Sequence, residues 1–289
     1  MDHSSEGLKQ SHLHIVGLGL MGASLARALR GKVSLLSGSD IRPELEAQAC
    51  HDQVIDHTGG VEQADIVVVA VPSHHIIPTL GHLAYKPGAL VLDMGSSKHQ
   101  ICQFMDTLPP QVNAVGGHPM CGLAENGYQN AIPTLYYKAR FILCETARTT
   151  QEAKNMSEQL VTAVGAFPIW MERKRHDELA GAISHLPHIM SFALMRLAME
   201  IAQKDDFVWE MAAGGFDGAT RLARTDEAMI TGMFRTNADQ LRQLVELLHK
   251  HLDELTALLD DPDSLRQELG TIVEARRAYT QHYGERMIT

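Results

Sequence analysis

The sequence predicts an α/β protein in which a doubly wound, mostly parallel sheet is followed by an all-helical C-terminal domain. Short β-branched runs alternate with amphipathic stretches through the first half, the pattern of a parallel sheet with crossover helices. Those runs are apolar at successive positions, as strands covered on both faces must be. From Arg173 onward the strand signals stop and apolar residues recur at helical spacing.

Strands are expected at 14–18, 33–40, 66–71, 89–94 and 113–117, with helix-like segments between them. Two more, 141–144 and 167–171, flank a helix over 150–164. Ile183, Leu186, Met190, Leu194 and Leu197 then mark one helical face. Leu241, Leu244, Leu247, Leu248, Leu252 and Leu255 mark another over 238–259, which ends in the acidic turn Asp260, Asp261, Pro262. Met190, Met195 and Met199 share the helical spacing and read as core filler. The change of period near Glu172 assigns residues 1–172 to the sheet domain and 173–289 to the helical one.

A chain of 289 residues with 45% apolar content can build two cores. The formal net charge of −10, with no Lys and Arg run interleaved with aromatics, argues against nucleic acid and for a small-molecule partner. The purest apolar run, 66–71, is far shorter than the roughly 20 residues that span a bilayer, and no export signal is visible. Four cysteines without a CxxC pair argue against a disulfide scaffold and a structural zinc site, so reduced thiols and a cytoplasmic location are expected, with no metal.

The first strand leads into Gly17, Leu18, Gly19, Leu20, Met21 and Gly22, a GxGxxG turn between a strand and a helix. Gly17 permits the tight turn, Gly19 lets the backbone approach a pyrophosphate, and Gly22 lets helix and strand pack closely. Asp40 ends the next strand, where an acid accepts hydrogen bonds from the adenosine ribose and repels a 2′-phosphate. These features define a Rossmann-type dinucleotide site and favour NAD. Arg42 with Ser39 keeps NADP open, since a guanidinium there can pair with a phosphate if Asp40 turns away. Val71 and Pro72 close the strand at 66–71 in a loop assigned to the same site; His74 and His75 beyond them read as surface histidines.

Three further segments carry chemistry: Asp93, Met94, Gly95, Ser96, Ser97, Lys98; Gly116, Gly117, His118, Pro119, Met120, Cys121, Gly122; and Ser184, His185, Leu186, Pro187, His188. With Gly214, Gly215, Phe216, Thr220 and Arg221, in this order behind the glycine turn, the chain from about His12 to the final helices resembles the prephenate and arogenate dehydrogenases of tyrosine biosynthesis. The resemblance implies an oxidative decarboxylation: hydride leaves the carbon that bears the ring hydroxyl while the ring carboxylate departs as CO₂.

Under that resemblance His118 is the catalytic histidine, and a neutral imidazole accepts a proton near pH 7. Ser96 corresponds to a serine that bonds the substrate hydroxyl or orients His118; the alternative is helix capping, for which Ser97 serves equally. Lys98, in a first helical turn, reads as solvated. His185 and His188, three apart on a helix, face the substrate, with Pro187 suggesting a helix start. Arg221 is the carboxylate clamp and Arg224 its rival one turn away. Asp217, Gly218 and Ala219 depart from the family pattern, as does Ala124. The roles of Glu125, which suits the amino group of arogenate, and Asn126, which suits the keto group of prephenate, stay open, with prephenate slightly favoured.

The helices after Asn237 exceed what their own domain needs and predict a homodimer. Two rival readings are a 3-hydroxyacid dehydrogenase or imine reductase, for which no helix-borne lysine stands in a motif, and a non-catalytic NAD-binding regulator.

Overall fold

The computed structural model describes residues 6–123 and 126–284. Its single sheet has eight strands: β1 His12–Val16, β2 Leu35–Ser39, β3 His57–Thr58, β4 Ile66–Val69, β5 Leu90–Asp93, β6 Asn113–Pro119, β7 Arg140–Glu145 and β8 Phe167–Trp170. They lie in the order β3-β2-β1-β4-β5-β6-β7-β8. The six strands from β3 to β6 are mutually parallel, β7 is antiparallel to β6, and β8 is parallel to β7. The order reverses between β1 and β4, which opens a crevice at their carboxyl ends, the ligand position of a doubly wound sheet.

Residues of β4 show why the strands read as continuous apolar runs. Ile66 and Val68 join the core on one face of the sheet with Ile15 and Leu92. Val67 and Val69 join the core on the other face with Val91 and Ala114. Successive side chains therefore serve two buried layers.

Three local differences from expectation have physical causes. β1 stops at Val16 because Gly17 turns away with φ +96°. β3 is two residues long and carries no apolar signal, being fixed by its pairing with Ser37 and Gly38. β6 continues through Pro119, past Val115 where β5 leaves off, because the antiparallel partner β7 carries the ladder onward from Gly116 to Pro119.

Beyond the sheet, the helix Arg173–Ala180 runs without interruption through a π-helical stretch, Gly181–His185, into the helix Leu186–Ala202. Pro187 therefore does not open a separate helix; the widened turn before it accommodates a residue that has no N–H to donate. The chain divides into two compact units, 1–238 and 239–289. The helices between Arg173 and Thr236 thus belong to the same unit as the sheet.

Met190 and Met199, expected as core filler, are exposed at 45% and 54%. Ile183 and Leu197 on the same helical run are exposed as well, because no described element of the chain covers that face. The second unit consists of the helix that ends at Ala257 and the helix Pro262–Tyr283, whose N-terminus is capped by the Asp261 carboxylate accepting from Ser264 N at 3.2 Å. It too exposes apolar side chains, among them Leu247, Leu252, Leu269 and Ile272. Among the described residues no helix is long and apolar enough to cross a membrane.

Candidate active site

The glycine turn after β1 is built by exclusion. A Cβ on Gly17 would lie 2.7 Å from the Ala70 carbonyl oxygen, and one on Gly22 only 1.8 Å from that of Gly17. Side chains at these two positions would separate the helix Leu20–Leu29 from the sheet. A Cβ on Gly19 would meet nothing within 4 Å, so the space above it is open. Gly19 is also the N-cap of that helix and has no side chain to satisfy the first-turn N–H groups. An open approach to unsatisfied donors at a helix N-terminus suits a pyrophosphate.

Asp40 sits beside this turn with its side chain 7% exposed. One carboxylate oxygen accepts from Leu18 N at 2.8 Å, and the other accepts from Arg42 N at 3.0 Å and Arg42 Nε at 3.3 Å. The acid has not turned away, and it holds the guanidinium that would otherwise meet a 2′-phosphate. Behind the turn, His14 bridges the Ser37 and Ser39 hydroxyls at 2.8 and 3.0 Å, and burial draws its pKa down to about 4. Gly17 N donates to the Ser39 carbonyl at 2.7 Å, which ties the turn to β2.

Val71 and Pro72 follow β4 at the same edge of the sheet, and the helix Ser73–His82 begins directly after them. Its Ser73 hydroxyl accepts from Ser96 N at 3.2 Å and lies 3.1 Å from the Ser96 hydroxyl. Neither Ser96 nor Ser97 caps the helix His99–Met105. The Asp177 carboxylate does so instead, accepting from Lys98 N at 2.5 Å and His99 N at 2.8 Å. His74 corrects the surface assignment: its Nδ1 is buried without a hydrogen-bond partner among the described residues, and a Cβ on Gly232 would come within 2.5 Å of it.

His118 projects from β6 at a point braced on both sides of the preceding peptide. The Asp93 carboxylate accepts from Gly117 N at 3.0 Å, and Lys98 Nζ donates to the Gly117 carbonyl at 2.6 Å and to Asp93. Lys98 is fully buried, contrary to its solvated reading, because Asp93 neutralises it there. Gly116 and Gly117 leave no room for side chains, since their Cβ atoms would each fall 2.4 Å from a neighbour, Cys102 Sγ and the Asp93 carbonyl oxygen respectively.

The His118 ring makes one contact that no motif announced: its Nδ1 lies 2.8 Å from Nε2 of His176, whose own Nδ1 lies 2.8 Å from Asp177 Oδ1. Burial, followed by the positive charge that His176, Lys98 and His185 carry or can acquire, holds the pKa of His118 well below the ordinary histidine value. The ring is thus neutral at pH 7. His176 and Asp177 come from the helix Arg173–Ala180, whose run of charged residues reads as a solvated face; nothing in the single sequence marks the pair as buried.

His185 and His188 extend the same line of side chains. His185 is fully buried beside Asn237, its Nδ1 3.0 Å from Asn237 Nδ2, and burial draws its pKa down to about 4. His188 is half-buried and donates from Nδ1 to the Ser184 carbonyl at 2.9 Å. Each of these groups acts electrostatically on the next: His185 on His118, His188 on His185, and Arg221 on His188. Arg221 is exposed at the start of the 3₁₀ turn Arg221–Arg224, which Ser191 ties to the helix Leu186–Ala202 by accepting from Ala223 N at 3.0 Å. Arg224 is exposed on the same turn and Asn126 is partly buried, while Ala124 and Glu125 lie outside the described residues. Among the described residues no group of three or more His, Cys, Asp or Glu is placed to hold a metal ion.

Residues 25–169 match the family model of the prephenate dehydrogenase nucleotide-binding domain, and residues 172–271 match that of the prephenate dehydrogenase dimerization domain. The chain is 33% identical over 262 residues to a prephenate dehydrogenase of Lactococcus lactis, covering 86% of this chain and 72% of that protein. It is 28% identical over 280 residues to a cyclohexadienyl dehydrogenase of Zymomonas mobilis, covering 92% and 95% of the two. Among solved structures, prephenate dehydrogenase from A. aeolicus in complex with hydroxyphenyl propionate and NAD+ superposes with a TM-score of 0.89 at 27% identity, covering 95% of this chain and all of that one.

Proposed function

The chain belongs to the prephenate dehydrogenase family, and we propose that it converts prephenate to 4-hydroxyphenylpyruvate and CO₂ with NAD, as a step of tyrosine biosynthesis. NAD fits the crevice: the space over Gly19 is open, the helix behind it has no side-chain cap, and Asp40 opposes a 2′-phosphate. When bound, NAD accepts the hydride.

The chain's own residues do the rest. His118, with Nδ1 engaged by His176, offers Nε2 to the substrate hydroxyl and accepts its proton as the carbon is oxidised. Because the ring is neutral at pH 7, no prior proton loss is needed. Ser96 bonds the same hydroxyl and is held for that purpose by Ser73. Arg221 and His188, which are electrostatic neighbours, receive substrate carboxylate, and His185 closes the buried end of the line. Gly17, Leu18, Gly19, Leu20, Met21 and Gly22, with Asp40, Val71 and Pro72, form the cofactor side. Departure of the ring carboxylate needs no acid, since aromatisation drives it. The observation that carries this reading is a neutral, braced imidazole at position 118 near the carboxyl end of β6, in the same sheet whose β1 ends in the glycine turn.

A second reading is arogenate, alone or with prephenate, and the Zymomonas mobilis relative, named for cyclohexadienyl substrates, favours keeping it. The discriminating experiment crosses prephenate and arogenate with NAD and NADP and follows reduced cofactor by absorbance. Fastest turnover is expected with prephenate and NAD. Absence of turnover in all four combinations would overturn the assignment. The exposed apolar faces of the C-terminal helices are read as a homodimer contact, in line with the dimerization-domain match, and the four free cysteines suit a reducing cytoplasm.

A further inference from the structure

We propose that Asp177 is a positioning residue that sets His118 and His185 in opposite tautomers, so that His118 presents a proton acceptor to the substrate while His185 donates toward the main chain of Ser96. This deepens the reading above and rests on His118 as its base.

One arm runs through the Asp177 side chain. A carboxylate oxygen only accepts, so the ring nitrogen 2.8 Å from it, Nδ1 of His176, carries the hydrogen. With a single ring hydrogen, His176 has its lone pair on Nε2, and Nδ1 of His118, 2.8 Å away, is then the donor to it. The lone pair of His118 is left on Nε2. Asp177 cannot swing out of this role, because its two oxygens also accept from the main-chain N–H groups of Lys98 and His99.

The other arm runs through the Asp177 main chain. Its carbonyl only accepts, so the Asn237 side-chain atom 2.9 Å away is the amide nitrogen rather than the oxygen. That same nitrogen lies 3.0 Å from Nδ1 of His185. An amide nitrogen only donates, which makes Nδ1 of His185 the acceptor and puts its hydrogen on Nε2. This Nε2 is buried, and the Ser96 main chain is the acceptor that acts on the ring, opposing the lowering of its pKa by burial. The hydrogen on His185 Nε2 is therefore directed to the main chain of Ser96, the residue that bonds the substrate hydroxyl. The two arms are independent, since one uses the carboxylate and the other the peptide carbonyl.

Protein labelled with ¹⁵N-histidine tests the inference, because long-range ¹H–¹⁵N spectra distinguish the two neutral tautomers. The wild-type protein should show His118 protonated on Nδ1 and His185 on Nε2. In Asp177→Asn the side-chain amide can turn its NH₂ group toward His176. His118 should then move its hydrogen to Nε2 while His185 keeps its tautomer, with kcat falling about 10²–10⁴-fold and NAD affinity within about twofold of wild type. Asp177→Glu should restore the His118 signal in part, and Asn237→Ala should perturb His185 alone. A purely structural Asp177 would lower Tm without moving the tautomer. Like tautomers at the two histidines of the wild-type protein, or an unchanged His118 in folded Asp177→Asn, would overturn the proposal. If that variant does not fold, the wild-type spectrum decides alone. The spectrum also decides if the protein turns over neither prephenate nor arogenate, an outcome that would remove the proposed reaction instead.

Discussion

His188 carries a pH dependence that follows from a single hydrogen bond. Its Nδ1 donates to the Ser184 carbonyl, so the neutral ring offers a lone pair on Nε2, whereas a substrate carboxylate needs a donor there. Burial lowers its pKa in the free protein; the Ser184 carbonyl opposes this and the positive charge of Arg221 adds to it. A bound carboxylate would raise the pKa again, so binding takes up a proton and weakens as pH rises. KM for prephenate should therefore climb as pH rises above the lowered pKa of the free ring, by up to about tenfold per unit, and His188→Gln should flatten the climb. A pH-independent KM in the unaltered protein would remove His188 from carboxylate binding. His118, Ser96, His188 and Arg221 could be singled out as candidates in the sequence because each stands in a short motif. The burial of Lys98, His176 and Asp177 was not legible, because it is decided by contacts that no motif marks: Asp93, five residues back, and Gly117 for Lys98, and the distant His118 and N-terminus of the helix His99–Met105 for the other two.

The glycine turn divides its labour in a way that single substitutions can separate. Gly22 stands where any Cβ would collide with the Gly17 carbonyl, so Gly22→Ala should lower Tm markedly or prevent folding. Gly19 faces open space, so Gly19→Ala should leave Tm within a few degrees of wild type. The added methyl would occupy the approach to the helix N-terminus and should weaken NAD binding tenfold or more, measured by titration calorimetry. Unchanged NAD affinity in folded Gly19→Ala would place the pyrophosphate elsewhere. At this scale the sequence was most informative, since strand period and the strand, turn and helix context located seven of the eight strands. The short β3 escaped because two polar residues have no period. The continuous helix through Pro187 escaped because a π-helical stretch leaves no mark in composition.

For the molecule as a whole, the unmatched feature is apolar surface. Met190, Leu197 and Met199 in the first unit, and Leu247, Leu252, Leu269 and Ile272 in the second, are more exposed than a lone chain would favour. Their helical spacing was plain in the sequence, but what covers them was not, because periodicity does not distinguish a core from a subunit contact. Sedimentation equilibrium at micromolar concentration should give a dimer mass; a monomer would refute the contact. The central claim, that the imidazole at position 118 takes the substrate's hydroxyl proton, is tested most directly by His118→Asn in single-turnover mixing with NAD and prephenate. The account predicts NAD binding close to wild type and formation of reduced cofactor slowed by at least about a hundredfold. Reduced cofactor forming at the wild-type rate in that variant would contradict it.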